Sequence, residues 1–275
     1  LVSREVIADS VELVVRGHAY DGIIGFGGCD KNLPGLMMGM VRCNVPSVFI
    51  YGGSALPGNW RGKDVSVLDS YEAVGAVMTN EMSLEEIGEL ERACLPTTGA
   101  CAGQFTANTM GMVSEVLGLA PLGSSMIPGI YEERFDVAKQ AGEIVMRGVR
   151  GEGPLPRDIV TRKSLENASA VVAATGGSTN AGLHIPAVAH EAGIKFTLDD
   201  VAKVFDRTPL IASLRPGGLY HAKDVYDVGG VPVLLKEMLK GGYLHGECLT
   251  VDGSTLTKAL ADAPDPDGQV FLPKE

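Results

Sequence analysis

Three consecutive residues, Cys29, Asp30 and Lys31, carry side chains of very different chemistry. A thiolate is a soft ligand that suits iron–sulfur clusters, whereas a carboxylate is a hard ligand that suits Mg²⁺. Such neighbours indicate two different metals close together, an iron–sulfur cluster at Cys29 and Mg²⁺ at Asp30. The alternative is a buried cysteine beside a surface Asp–Lys pair, which is the commoner arrangement for a lone cysteine.

A second cysteine, Cys101, lies in the loop 97–103, before a predicted helix that begins near Gln104. A helix N-terminus lowers the pKa of a nearby thiol, because the helix dipole and the free N–H groups stabilise the thiolate. We therefore expect Cys101 to be a thiolate that binds metal or acts as a nucleophile. The other three cysteines are predicted to be structural, because free cysteine is usually buried; they are Cys43, Cys94 and Cys248.

A third loop, 175–180, joins two predicted helices and contains Ser178, Thr179 and Asn180 after two glycines. Its hydroxyls and N–H groups would suit the carboxylate of a substrate at a helix start. Helix-to-helix turns also use these residue types for purely conformational reasons, so both interpretations stay open. The five histidines lack metal-type spacing, and the sequence contains no P-loop, Rossmann fingerprint or G-x-S-x-G motif.

An α/β scaffold is predicted to position these loops. A strand at 23–26, a Met-rich helix opening at Pro34 and Gly35, and a buried strand at 46–51 have the spacing of a βαβ unit with parallel strands. Ligands of such sheets bind beyond the carboxyl ends of the strands, where Cys29 lies. Further helices are predicted at 70–80, 84–93 (with Ser83 and Glu86 as a capping box), 103–118, 132–149, 158–174, 180–192, 198–206 and 231–240, and a last strand at 248–251.

Composition narrows the class of protein. The chain has 275 residues, 45% of them hydrophobic, and a formal net charge of −11, which disfavours nucleic acid and anionic membranes as partners. No run approaches the roughly 20 apolar residues that span a bilayer, and the amphipathic start with its acidic residues is unlike a signal peptide. A cytoplasmic protein is therefore expected. Five cysteines, an odd number, argue against a disulfide framework.

The domain organisation is predicted from linker composition. We expect an α/β domain over 1–261, with a possible division into two sub-regions near 151–156, and the start of a linker over 262–275. The chain begins at Leu1 rather than Met, inside a predicted helix, which suggests a fragment of a longer protein.

Several long motifs together resemble the superfamily of dihydroxy-acid and sugar-acid dehydratases. They are CDKNLPG at 29–35, GACAGQFTANTM at 99–110 and NASAVVAATGGSTNAGLH at 167–184. GGVPVLLKEML at 229–239 and LHGECLTVDG at 244–253 extend the resemblance over essentially the whole chain. The first two motifs are long and specific, which argues against a chance match.

The resemblance implies a site and a reaction. Cys29 and Cys101 correspond to two of three cysteine ligands of an iron–sulfur cluster, either 2Fe–2S or 4Fe–4S, Asp30 to a Mg²⁺ ligand, and Lys31 to a lysine whose carbamate also binds Mg²⁺. The implied reaction removes water from a 2,3-dihydroxy acid to give a 2-keto acid in valine and isoleucine biosynthesis, in a homodimer. The implied fold is an α/β/α arrangement, followed in the family by a C-terminal β-barrel-like domain that supplies the catalytic base. This chain, lacking that domain, is expected to be inactive alone.

Three alternatives stay open. One is a sugar-acid dehydratase of the same superfamily, although the motif CDKNLPG is closer to that of the enzymes of branched-chain amino-acid biosynthesis. A non-catalytic binding or assembly domain is the second, and the two thiols and the carboxylate in loops argue against it for the whole protein. A zinc site built from Cys29, Cys101 and a histidine ranks last, because no close ligand pair supports it.

Overall fold

The computed structural model describes residues 1–273. Helix α1 (Val2–His18) leads into strand β1 (Ile23–Gly27), helix α2 (Asn32–Cys43) and strand β2 (Ser47–Tyr51). The two strands are parallel and in register from their first to their last residues, so the predicted βαβ unit is confirmed. The predicted α/β class is confirmed too, and this parallel sheet has two strands among the described residues.

Helices α1 and α2 pack closely because a glycine stands where they approach. A side-chain carbon at Gly35 would lie 2.9 Å from the main-chain oxygen of Arg4 and 2.9 Å from Ile7. No larger residue fits there without moving a helix. The contact fixes α1 beside the start of α2, next to the loop that carries Cys29.

A small outlying unit follows β2. It consists of the antiparallel hairpin β3 (Gly58–Trp60) and β4 (Lys63–Val65), with helices α3 (Val67–Met78) and α4 (Leu84–Ala93). The capping box predicted at Ser83 and Glu86 is present. This unit has its own small apolar cluster, separate from the main core, formed by Val65, Ala73, Leu90 and Cys94.

The rest of the described chain consists of helices and the loops that connect them. One continuous core contains buried residues on both sides of segment 151–156, and Phe271 near the end of the described chain is fully buried in it. The predicted domain boundaries stay predictions, and residues 274–275 of the predicted linker lie outside the described part. The further helices are α5 (Thr106–Leu117), α6 (Glu133–Val149), α7 (Pro156–Ile159), α8 (Arg162–Ala174), α9 (Ala181–Glu191), α10 (Leu198–Arg207), α11 (Ala222–Asp227), α12 (Val231–Lys240) and α13 (Leu256–Ala259).

Helix α5 forms the centre of this assembly, and all its residues are buried. It packs against α2, α8, α9 and α12. Most of its residues are small or apolar, as a helix surrounded on all sides requires, and its buried Asn108 and Glu115 have hydrogen-bond partners. The start of α5 therefore has a fixed position, and Cys101 lies just ahead of it.

Several sequence predictions are wrong in detail. The single helix predicted at 158–174 is divided into α7 and α8, and the helix predicted at 70–80 begins at Val67. The strand predicted at 248–251 does not form, because Leu249 makes only a single bridge to Thr255. Cys248 and Val251 are buried because the loop lies on the core, so an apolar run was mistaken for a strand. Helix α2 begins at Asn32, two residues before the predicted Pro34. Among the helices of residues 1–273, none combines the length and the apolar composition that a membrane-spanning helix requires.

Candidate active site at the ends of the parallel strands

Cys29 lies in a short loop between β1 and α2 that is ordered by one side chain. The Asn32 side-chain oxygen accepts hydrogen bonds from the main-chain N–H groups of Gly28, at 3.1 Å, and Cys29, at 2.8 Å. Asn32 stands in the first turn of α2, so the helix itself fixes the loop. Cys29 is exposed, and its thiol is therefore accessible to a ligand.

The loop that carries Cys101 lies against the same end of the sheet. The N–H of Gly52, just after β2, donates to the carbonyl of Gly27 at 2.7 Å. The N–H of Ala100 donates to the carbonyl of Gly53 at 3.0 Å. Three loops, after β1, after β2 and before α5, therefore meet beyond the carboxyl ends of the strands, where α/β proteins bind ligands.

The contact between the second and third loops requires glycine. Gly99 has a φ of 129°, and a side-chain carbon there would lie 2.4 Å from the main-chain oxygen of Ser54. The N–H of Ala55 in turn donates to the Cys101 carbonyl at 3.3 Å. The backbone on both sides of Cys101 is thus held by the loop that follows β2.

Burial sets the state of the Cys101 thiol. Burial is the main reason why the pKa of Cys101 rises to about 11, and the Cys29 thiol makes a smaller contribution in the same direction. The expectation of a lowered pKa is therefore wrong, because α5 begins at Thr106, five residues later, and the thiol is desolvated. The loops of the two cysteines therefore lie at the same end of the sheet, joined through the loop after β2, although 101 − 29 = 72 residues separate Cys29 from Cys101.

Asp30 and Lys31 lie at the rim next to Cys29. The Lys31 ammonium contacts the Asp30 Oδ2 at 2.7 Å, and both side chains are partly exposed. On the other side of the carboxylate, the Nε2 of His184 lies 3.4 Å from Oδ1. The two oxygens of Asp30 therefore contact different partners.

Sequence reasoning missed His184. It lies in α9, 154 residues from Asp30, and is fully buried. Burial lowers its pKa to about 4, against an opposing effect of the Asp30 carboxylate, so the ring is neutral at pH 7. The only signal was its position at the end of the third motif, and no metal-type histidine spacing pointed to it.

A family model described as the N-terminal part of dihydroxy-acid/6-phosphogluconate dehydratases matches residues 1–259. The chain belongs to this family. The resemblance based on sequence motifs is thereby confirmed.

Curated relatives agree with the family assignment. The chain is 62% identical to dihydroxy-acid dehydratase 3 of Bradyrhizobium diazoefficiens, over 98% of the chain and 46% of that protein. It is 63% identical to dihydroxy-acid dehydratase 2 of Bordetella bronchiseptica, over 98% of the chain and 47% of that protein. It is 47% identical to dihydroxy-acid dehydratase of Polaromonas naphthalenivorans, over 96% of the chain and 47% of that protein. The chain thus spans about half the length of these relatives.

The third loop of this dehydratase-family chain is held by the start of α5. The hydroxyls of Ser178 and Thr106 are 2.8 Å apart, and the Asn180 amide donates to the Thr106 hydroxyl at 2.9 Å. The main-chain N–H of Ser178 donates to Thr109 at 3.0 Å. Two of the three predicted substrate-binding side chains therefore have partners within the protein, and Thr179 is exposed.

The remaining three cysteines lie apart from these loops. Cys43 ends α2, at the opposite end from Cys29, and Cys94 belongs to the small outlying cluster. Burial raises the pKa of Cys248 to about 11. Within residues 1–273 no three His, Cys, Asp or Glu side chains are arranged to hold a metal ion by themselves.

Proposed function

We propose that the protein containing this chain is a hydro-lyase that converts 2,3-dihydroxy acids to 2-keto acids. The observation that supports it most is that the loops of Cys29 and Cys101 adjoin at one end of the sheet, with Asp30 and Lys31 beside Cys29. Its relatives are named dihydroxy-acid dehydratases. The proposal covers the whole protein, because the chain matches about half of each relative.

The donor set fits an iron–sulfur cluster and Mg²⁺ side by side. Cys29 and Cys101 would be cluster ligands, and Asp30 and Lys31 would hold Mg²⁺, Lys31 through a carbamate formed by its neutral amine and CO₂. When bound, the two groups would supply Lewis acidity for the leaving hydroxyl and for the substrate's carboxylate and 2-hydroxyl. The described residues supply two thiols in adjoining loops, so we propose that further ligands come from elsewhere in the protein.

The residues of this chain would bind and orient the substrate. Asp30 and Lys31 would define the edge at which the carboxylate of the substrate binds. The exposed Thr179 hydroxyl, at the loop before α9, would donate a hydrogen bond to the substrate, while Ser178 and Asn180 would hold that loop against Thr106. The base that removes the C2 proton would lie outside this chain, and the chain alone would therefore be inactive.

We further propose that the whole protein acts in valine and isoleucine biosynthesis and that it forms a homodimer. Growth of a dehydratase-deficient strain without branched-chain amino acids, after introduction of the whole gene, tests the first. Light scattering of the purified whole protein tests the second, and a monomer at micromolar concentration would contradict it.

The experiment for the proposed activity compares the whole protein with this chain. Both are reconstituted anaerobically with iron, sulfide and Mg²⁺, then assayed for 2-keto acid formation from 2,3-dihydroxyisovalerate and from a pentonate. We expect the whole protein to convert 2,3-dihydroxyisovalerate faster and the chain alone to convert neither. Preference for the pentonate would instead support a sugar-acid dehydratase. Failure to bind iron and to convert either substrate would support a non-catalytic domain.

A further inference from the structure

His184 is a buried side chain that contacts Asp30, the candidate Mg²⁺ ligand. The ring lies inside the protein with no exposed surface. Its Nδ1 is 3.2 Å from Nη1 of Arg4, and its Nε2 is 3.4 Å from Oδ1 of Asp30. Each ring nitrogen therefore has one polar neighbour, and the two neighbours have opposite hydrogen-bonding roles.

Arg4 determines which nitrogen carries the hydrogen. A guanidinium can only donate hydrogen bonds, so Nδ1 of His184 must be the acceptor. The neutral ring then carries its hydrogen on Nε2, which faces the Asp30 carboxylate. Arg4 itself is held in place, because the same Nη1 donates to the Leu183 carbonyl at 3.1 Å and Nε donates to Glu5 at 3.0 Å.

Each of the two Asp30 carboxylate oxygens therefore has its own contact. Lys31 contacts Oδ2 at 2.7 Å, from the same loop, and flexible lysine side chains define an orientation poorly. His184 comes from a different element, the first half of α9, whose position is fixed by packing against α2, α5 and α8. The imidazole is therefore the rigid one of the two contacts.

We propose that His184 is a positioning residue: its Nε2–H donates to Asp30 and orients this carboxylate for Mg²⁺, with Arg4 selecting the tautomer. This inference rests on the proposed function, since it assumes that Asp30 binds the cation. Partners of this kind behind a metal ligand fix its geometry, and their loss typically weakens metal binding about 10–100-fold.

The test uses Mn²⁺, a paramagnetic substitute for Mg²⁺, with the whole protein. Mn²⁺ affinity is measured by electron paramagnetic resonance, and displacement by Mg²⁺ identifies the site. His184→Leu removes the donor, whereas His184→Gln places an amide N–H near the position of Nε2. His190→Leu, in the same helix but exposed, is the matched control.

We expect His184→Leu to weaken Mn²⁺ binding about 10–100-fold, His184→Gln to retain most of the affinity, and His190→Leu to bind like the unmodified protein. Unchanged Mn²⁺ binding in His184→Leu, or equal losses in the Leu and Gln variants, would overturn the positioning role alone. An unmodified protein without any Mn²⁺ that Mg²⁺ displaces would overturn the proposed metal site and the inference with it.

A second measurement needs no substitution and is independent of folding defects. Long-range ¹H–¹⁵N correlation spectra of the unmodified protein, labelled at histidine, report which ring nitrogen is protonated. We expect hydrogen on Nε2 and none on Nδ1 of His184. A protonated Nδ1 would contradict the contact with Arg4 and overturn the inference.

Discussion

The side-chain amide of Asn108 donates to the main-chain carbonyl of Cys101 at 2.8 Å. The same amide donates to the Gly103 carbonyl at 2.6 Å, and its oxygen accepts from the Tyr51 hydroxyl at 2.7 Å. Asn108 is fully buried in α5, and Tyr51 ends β2. One side chain thus links the central helix, the parallel sheet and the loop that carries Cys101.

Replacement of Asn108 by Ala is expected to destabilise the protein by about 2–4 kcal/mol, because it leaves two carbonyls and a tyrosine hydroxyl buried without this partner. Urea unfolding followed by circular dichroism measures the change. Gln140→Ala, on the exposed side of α6, is the control and should change stability by less than about 0.5 kcal/mol. Equal stabilities of the two variants would show that the network does not support the loop.

Glu115 makes stability depend on pH. It is fully buried in α5, where burial raises its pKa from 4.5 to about 7 against hydrogen bonds from Gly123 and Ser125. Below pH 4.5 the folded and unfolded chains both hold the proton, whereas between pH 4.5 and 7 mainly the folded chain holds it. The contribution of Glu115 to the free energy of unfolding therefore falls as pH rises through this window, by up to about 3 kcal/mol.

Glu115→Gln tests this pH effect, because glutamine does not ionise. Between pH 4.5 and pH 8, the free energy of unfolding of the unmodified chain should fall relative to that of the variant. Glu143→Gln, exposed on α6, corrects for the general effect of the substitution. A difference that stays constant with pH would contradict the ionisation of a buried Glu115.

Ser178 and Thr179 are adjacent but are expected to respond differently to substitution. Ser178→Ala removes the contact with Thr106 and should lower the melting temperature by a few degrees, for a loss of about 1 kcal/mol. Thr179→Val should leave the melting temperature unchanged and raise the KM of the whole enzyme, because its exposed hydroxyl is the one proposed to meet substrate. An unchanged KM for Thr179→Val would remove this residue from the proposed site.

Much of the fold could be predicted from local sequence signals. Helices α4 and α12 have the bounds predicted from apolar spacing and caps, 84–93 and 231–240. The βαβ unit followed from two apolar runs at the right separation. The hairpin of β3 and β4 was missed because its turn residue Arg61 has a φ of 53°, a conformation usually given to Asn, Asp or Gly.

The site was predictable only where its residues share a motif. Cys29, Asp30 and Lys31 are consecutive, so their chemistry was visible in the sequence. The contact between His184 and Asp30 depends on how α9 packs against α2, and tertiary packing of this kind leaves no periodic signal. The lowered pKa predicted for Cys101 was wrong for a similar reason. Burial of the thiol raises this pKa, and the helix expected to lower it begins only at Thr106, five residues later.

The central claim is that Cys29 and Cys101 bind one cluster, and iron and acid-labile sulfide content tests it most directly. The whole protein is reconstituted anaerobically in unmodified form and as Cys29→Ser, Cys101→Ser and Cys43→Ser. Cys43 is the matched control because it ends α2, a helix of 12 residues and thus about 18 Å long, whose other end lies next to Cys29. We predict that the first two variants lose most of the bound iron and sulfide while Cys43→Ser retains both. Full iron and sulfide content in either Cys29→Ser or Cys101→Ser would contradict the account.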